Sequence, residues 1–429
     1  MLSLVRLRFV LAVITVLAFS GLYATIVPPL VTYDSWQYLS SGMSIASGRF
    51  PDGYFLIREP LYPALVGVLA FTPLGITLLI FAQAMLFSSG LWMVSQTLSR
   101  MLGLQGILST ITSIFFVLFS FFFWGGYAAF VGQQVLVFFF FASIFALGER
   151  VIRRQTISRF EFFLAAILGV MGALTSAFLL LSWGLFCVFL LGARAFRSKV
   201  HAQKLLSLFL LVVVFGGTSL GVWFTARSQI PAFSVQISQE AALSGGVFSP
   251  HQALIESGIP AETGFLASFL ANLDLLPTQG WGLDQYTSGG GNGTNNFVFG
   301  SAQLTAPHLC TVFPEEGVQF VLPEINDQFS NCTNSEISVQ RSIPLEAKVM
   351  WSIQHLIYFA SVVALLLSAS RVTPLQLKVV LLYSLTLPIT YALLLGGIAR
   401  YGMPAQIMLF SIAVGLIARA ARTYLKARV

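Results

Sequence analysis

Charge is what this chain most lacks. Only 9% of its 429 residues are Asp, Glu, Lys or Arg and 56% are hydrophobic. An average soluble domain carries about 25% charged residues, so a soluble fold is excluded. Histidine and cysteine are scarcer still, at four and three copies. His201, His251, His308 and His355 form no HExxH or related cluster, and no Cys/His spacing matches a zinc site. Internal repeats are also absent. The net charge of +7 comes from short basic clusters at helix ends rather than from one basic domain, which argues against a nucleic-acid partner.

What is present is apolar length. Several runs reach the roughly 20 residues needed to cross the hydrocarbon core as a helix, and 40 phenylalanines can fill interhelical space without polar atoms. The expectation is an all-α polytopic membrane protein with about ten transmembrane helices. They are placed at 9–30, 76–99, 106–124, 131–148, 162–175, 177–193, 205–226, 349–369, 376–395 and 403–419. The first apolar run continues to Leu30, which favours an uncleaved span over a signal peptide. Residues 60–73 are apolar but too short to span, so they are laid along the outer face as a juxtamembrane helix. Pro60 and Pro63 suit its first turn, where a missing N–H costs little.

Basic residues test this threading. With both termini cytoplasmic, 17 of the 23 Lys and Arg fall inside, in clusters such as Arg6 and Arg8, Arg150 to Arg159, and Arg419 to Arg428. Arg49, Arg58, Arg227, Arg341, Lys348 and Arg400 fall outside with 14 of the 16 acidic residues, Glu149 and Glu161 being the exceptions. That asymmetry follows the positive-inside rule for a multi-pass plasma membrane protein. The chain then divides into an N-terminal transmembrane module (1–226, with its first outer loop at 31–75), one exoplasmic or periplasmic insert (227–348) and C-terminal transmembrane helices (349–429). Within the insert, "TSGGGNGTNNFVFG" is a flexible loop with no strand and helix around it to make a phosphate cradle. Cys310 and Cys332 both lie in the insert, where an oxidising compartment permits a disulfide worth very roughly 3 kcal/mol. Cys187 is expected simply to pack within the membrane.

The polar groups that stand beside hydrocarbon are candidates for function. Asp34 opens "DSWQY", and Tyr38 shares its face if the segment is helical. Its carboxylate has two roles open to it: an N-cap above an aromatic belt, or a general base toward an acceptor hydroxyl. Arg58 and Glu59 begin the juxtamembrane helix, and Arg400 lies in "GGIARYGMPAQ". A guanidinium at this depth either snorkels to lipid headgroups or grips a substrate phosphate.

The order of these elements is one span, Asp34, Ser35 and Tyr38, then Gly48, then Arg58, Pro60, Tyr62 and Pro63, many spans, and a late Arg400, Tyr401 and Pro404. In that order the chain resembles the GT-C superfamily of membrane glycosyltransferases, of the bacterial ArnT-like and protein-mannosyltransferase-like kind. The resemblance covers the first hundred residues and the last thirty, with the middle matching as hydropathy. It implies an enzyme that takes a sugar from a polyprenyl-phosphate carrier at the outer face and passes it, with inversion, to a hydroxyl of an envelope glycan, lipid or protein. Asp34 would be the catalytic base and Arg58 and Arg400 would bind the donor phosphate. Tyr38, Glu59, Tyr62 and Tyr401 would line the substrate site. No resident cofactor is implied, and a divalent metal is left open. The chain departs from the superfamily where relatives carry acidic residues, at Ser35 and at Gln133 and Gln134, and where they carry a basic one, at Ser176. Two other readings stand beside it. An O-antigen polymerase or ligase is disfavoured by the acidic, arginine-poor insert. A lipid-linked sugar flippase or transporter is disfavoured by polar clusters that sit at the outer face, away from the midplane.

Overall fold

Long apolar stretches with few helix breakers set the architecture. The computed structural model describes residues 2–26, 38, 41–42, 45–46, 59–192 with short gaps, 199–228, 266, 269–270, 273, 356–363, 365, 375–394 and 402–428. Among these the regular structure is entirely helical. In chain order the helices are α1 (Leu2–Ile26), α2 (Leu61–Leu69), α3 (Gly75–Met101), α4 (Ile107–Trp124), the single turn α5 (Gly126–Ala129) and α6 (Gln134–Arg154). They continue with α7 (Arg159–Thr175), α8 (Ala177–Gly192), α9 (Lys199–Ser228), α10 (Leu375–Leu394) and α11 (Met403–Arg428). Most of the predicted insert lies outside the described residues, as do Cys310 and Cys332, so the expected disulfide is not described.

Helix α3 is the central element. It packs on α1, α4 and α6, and α2 and α11 lie against it as well. Its packing face mixes small and polar residues with large apolar ones: Gln83, Ala84, Ser88, Ser95 and Thr97 are buried beside Leu79, Phe87, Leu91 and Val94. At Gly90 a Cβ would stand 2.7 Å from the ring of Phe138, so the missing side chain is what lets α6 approach. Hydrogen bonds between serines and glutamines join the helices. Ser95 Oγ donates to Ser113 Oγ at 2.9 Å, and Gln96 Nε2 donates to the same oxygen at 2.8 Å, tying α3 to α4. Such interhelical bonds are worth about 0.6 kcal/mol each in a membrane. Around α3 lies an aromatic-rich core in which Phe87, Phe138, Phe141, Tyr383 and Phe410 are fully buried. Tyr383 stacks on Phe141 at 4.2 Å and donates its hydroxyl to the Phe141 carbonyl at 2.8 Å, which locks α10 to α6.

The outer surface is apolar. Ile111, Phe115 and Leu118 on α4, Phe160, Phe163 and Ile167 on α7, and Leu210, Val214 and Phe215 on α9 are exposed. Two stretches among the described residues, Thr77–Met101 and Ala202–Trp223, are long and apolar enough to cross a membrane.

Helix boundaries follow local chemistry. Helix α7 starts on a capping box: Glu161 N–H donates to Ser158 Oγ at 3.2 Å, and Ser158 N–H donates to Glu161 Oε2 at 3.0 Å. This satisfies two of the N–H groups that a helix start leaves unpaired. At the other end of α7, Ser176 is extended (φ −158°, ψ 125°) and α8 begins at the next residue. One residue therefore separates two helices, at the place where the sequence put its shortest turn.

The ends of the bundle differ in chemistry. At the end where α3 and α6 finish, Arg100 meets Glu149 at 3.5 Å and Arg150 meets Glu161 at 3.4 Å. The two acidic residues that stood out as exceptions on the predicted inner side are each paired with an arginine. Near the opposite end, where α3, α6 and α8 begin, lie Tyr62, Gln83 and Glu59.

Candidate functional site

The candidate site is built at that opposite end, from the short helix α2. Pro60 takes helical dihedrals (φ −76°, ψ −21°) as its N-cap residue and Pro63 sits in its first turn, so neither imino nitrogen costs a helical hydrogen bond. The face of α2 turned inward carries Tyr62, Pro63, Val66 and Gly67, whereas Val68 is 65% exposed.

Tyr62 organises the interior of the site. Its hydroxyl donates to Gln83 Oε1 on α3 at 2.5 Å, and Gln83 Nε2 donates in turn to the Ala128 carbonyl on α5 at 2.9 Å. Burial, and after it the neighbouring Tyr38 phenol, hold Tyr62 ionisation well above the usual tyrosine range, against an opposite pull from the Gly132 backbone amide. Tyr62 is therefore a neutral hydrogen-bond donor.

The segment that follows Asp34 docks on this helix. Tyr38 is buried and stands edge-on to Tyr62, with ring centroids 4.7 Å apart. Four residues on, Gly42 meets Gly67 backbone to backbone. A Cβ on Gly67 would lie 2.6 Å from the Gly42 carbonyl oxygen, and one on Gly42 would lie 2.9 Å from the Gly67 nitrogen. Only glycine at both positions permits that approach.

Glu59 ties α2 to the corner between α7 and α8. Its Oε1 accepts the Ala177 N–H at 3.1 Å. Ala177 is the first residue of α8, so a carboxylate distant in sequence does the work of an N-cap and lies at the positive end of the helix dipole. Next to it Ser176 Oγ lies 3.5 Å from the Tyr391 hydroxyl of α10. A second link closes the far side. Trp124 Nε1 donates to Gln406 Oε1 on α11 at 3.2 Å, and Tyr358, edge-on to Trp124, donates to the Leu273 carbonyl at 2.8 Å. Leu273, from the predicted insert, is thus part of the same core.

Of the residues singled out in the sequence, Tyr38, Glu59 and Tyr62 are brought together here. Asp34, Arg58, Arg400 and Tyr401 lie outside the described residues, although Glu59 follows Arg58 directly and the buried Met403 stands three positions after Arg400. Among the described residues no three His, Cys, Asp or Glu side chains gather as metal ligands.

No family model, curated protein or solved structure matches the chain.

Sequence reasoning missed Gln83 and Gln406. Each is a glutamine inside an apolar helix, which is itself a signal, since a polar side chain in such a run needs a partner. It also gave Gln133 and Gln134 no role. Both side-chain oxygens are buried and have no hydrogen-bond partner among the described residues.

Proposed function

We propose that this chain is a multi-pass membrane glycosyltransferase of GT-C type. It moves a sugar from a polyprenyl-phosphate donor to an acceptor hydroxyl at the outer face of a plasma membrane. The observation that carries the reading is the docking of Tyr38 and Gly42 on α2, against Tyr62 and Gly67. It joins the segment flanking Asp34 to the helix flanking Arg58 at one end of the bundle, as a site assembled from those elements requires.

The inverted distribution of side chains supports the membrane part of the reading. Large apolar residues face outward on α1, α4, α7 and α9 while serines and glutamines are buried, the arrangement suited to a lipid solvent. The Arg100–Glu149 and Arg150–Glu161 pairs lie at the opposite end, the cytoplasmic side in this topology.

In the proposed reaction Asp34 takes the proton of the acceptor hydroxyl as its oxygen attacks the anomeric carbon. The bond from that carbon to the phosphate oxygen breaks, and polyprenyl phosphate leaves. Arg58 and Arg400 stabilise the charge that develops on it. The test uses the purified full chain in nanodiscs with labelled polyprenyl-phospho-sugars and an envelope extract. A labelled covalent product that Asp34→Asn does not make is the expected result. Full transfer by that variant would remove the base assignment, and movement of donor across sealed vesicles without any covalent product would make the protein a flippase.

A further inference from the structure

Helices α7 and α9 pack side by side and run parallel, both starting from the end of the bundle that carries the Arg100–Glu149 and Arg150–Glu161 pairs. Gly169 fixes their register. A Cβ there would stand 2.7 Å from Val212 Cγ2, and one turn further on a Cβ at Gly216 would stand 3.1 Å from that of Ala173. Counted back from this contact at about 1.5 Å per residue, Arg159 lies about 15 Å along α7 and Lys204 about 12 Å along α9, so the two cations stand at nearly one level. They also share a side. Phe140 of α6 lies against Gly172 of α7, and Phe209 of α9 lies against Gly184 of α8, so the bundle covers one side of the seam. At about 100° per residue Arg159 and Lys204 fall on the other side, and both are exposed. Phe163 and Phe215 are exposed on that same side, at 69% and 60%, nearer the middle of their helices.

Two cations at the rim of an exposed apolar seam match one kind of amphiphile. The carboxylates described at this end are directed elsewhere: Glu149 to Arg100, and the buried Glu161 to Arg150, on the side of α7 turned to α6. A guanidinium and an ammonium at one level offer donors and positive charge to phosphate oxygens. The apolar flank beside them offers acyl chains a surface. A zwitterionic headgroup would set a cation of its own against the two, and a free phosphate ion would leave the apolar flank unused. Basic pockets between helices at the cytoplasmic face of a membrane recognise anionic headgroups by this chemistry. We propose that the lipid-facing seam between α7 and α9 binds one anionic phospholipid, its phosphate held between Arg159 and Lys204 and an acyl chain laid along Phe163 and Phe215. The inference is separate from the transfer chemistry and rests only on the membrane part of the proposed function.

The experiment uses the full chain in nanodiscs of phosphatidylcholine, with and without phosphatidylglycerol, and native mass spectrometry to count the lipid that stays bound after release into detergent. Wild type should retain a single phosphatidylglycerol in preference to phosphatidylcholine, and raised salt should strip it. Arg159→Gln and Lys204→Gln should each weaken retention by about fivefold. Arg159→Lys should restore most of it, and Arg428→Gln, which removes a charge from α11, should behave as wild type. Melting temperature is the second readout. Phosphatidylglycerol should raise that of wild type but not that of the Arg159→Gln, Lys204→Gln double variant, with the two proteins alike in phosphatidylcholine alone. Retention of both lipids equally would overturn the site, and so would an equal loss in Arg428→Gln, since diffuse surface charge would then account for binding. A double variant that already melts lower in phosphatidylcholine would overturn it as well, because the cations would then serve the fold. A chain that stays in buffer and does not enter nanodiscs would discard the membrane reading itself.

Discussion

The ring of Tyr38 meets the ring of Tyr62 edge-on, at a centroid distance of 4.7 Å and an interplanar angle of 88°. The first belongs to the outer loop that begins with Asp34 and the second to the short helix that follows Arg58, so this one contact joins two chain segments that the proposed chemistry needs side by side. An edge-to-face pair is worth about 0.5–1.5 kcal/mol beyond its buried area. Tyr38→Leu is therefore expected to loosen the loop more than to unfold the protein. Hydrogen exchange should show faster exchange over 34–46 with little change in α3.

Tyr62 also holds Gln83. Tyr62→Phe keeps the ring contact with Tyr38 and removes the donor to Gln83 Oε1. A loss of about 1–3 kcal/mol is expected in a denaturation series. Tyr62→Phe combined with Gln83→Leu should cost less than the sum of the two single variants, because both ends of the bond are then apolar, while the Ala128 carbonyl still loses its donor. A double variant whose loss equals the sum of the two singles would show that the pair does not act as a unit.

Glu59 is expected to hold the frame through the Ala177 N–H. Glu59→Ala leaves the start of α8 without that acceptor and should cost about 1 kcal/mol or more. Glu59→Gln keeps an oxygen in place and loses only the charge, so its melting temperature should fall between those of wild type and Glu59→Ala. Equal melting temperatures for the two variants would mean that the charge alone matters.

Gly67→Ala forces a methyl group to within 2.6 Å of the Gly42 carbonyl oxygen, and that atom is backbone. Overpacking of this kind costs about 1–3 kcal/mol. Gly217→Ala, on α9 with nothing within 4 Å of the new methyl, is the matched control. A glycine replaced inside a helix without a clash should gain about 0.5–1 kcal/mol. Opposite signs for the two variants in thermal unfolding would confirm that the Gly42–Gly67 contact is a point of closest approach.

Asp34→Asn is expected to lower the transfer rate by about 10²–10⁴-fold. Donor affinity, read by competition with polyprenyl phosphate, should stay within a few-fold of the wild-type value, since the proposed base would meet the acceptor rather than the carrier. A variant that lost donor binding in proportion to rate would place Asp34 on the phosphate side.

Most helices were legible because they obey local rules. Pro60 and Pro63 marked the start of α2, and the break at Ser176 was visible as a polar interruption between two apolar runs. The starts of α3, α4 and α10 fell within a residue of their predicted places, since periodicity and breakers are written in neighbouring residues. Helix α6 begins three residues later than predicted, after the turn at Val131 to Gln133, because Val131 extends the hydropathic run into a backbone that is not helical.

What the sequence determined by itself was composition and period: a charge-poor chain of long apolar helices, with most of its basic residues clustered at one set of helix ends and a few charged groups such as Glu59 at the other. Helix type follows from short-range backbone sterics and from where apolar side chains recur. What only the tertiary structure decided were the partnerships, such as Glu59 capping a helix 118 residues away, Gln83 taking the Tyr62 hydroxyl and two glycines meeting backbone to backbone. A buried polar group must find a partner, and any of several residues can satisfy that need. Which residue does so depends on how the helices come to lie against one another, and that is fixed by the packing of the whole bundle.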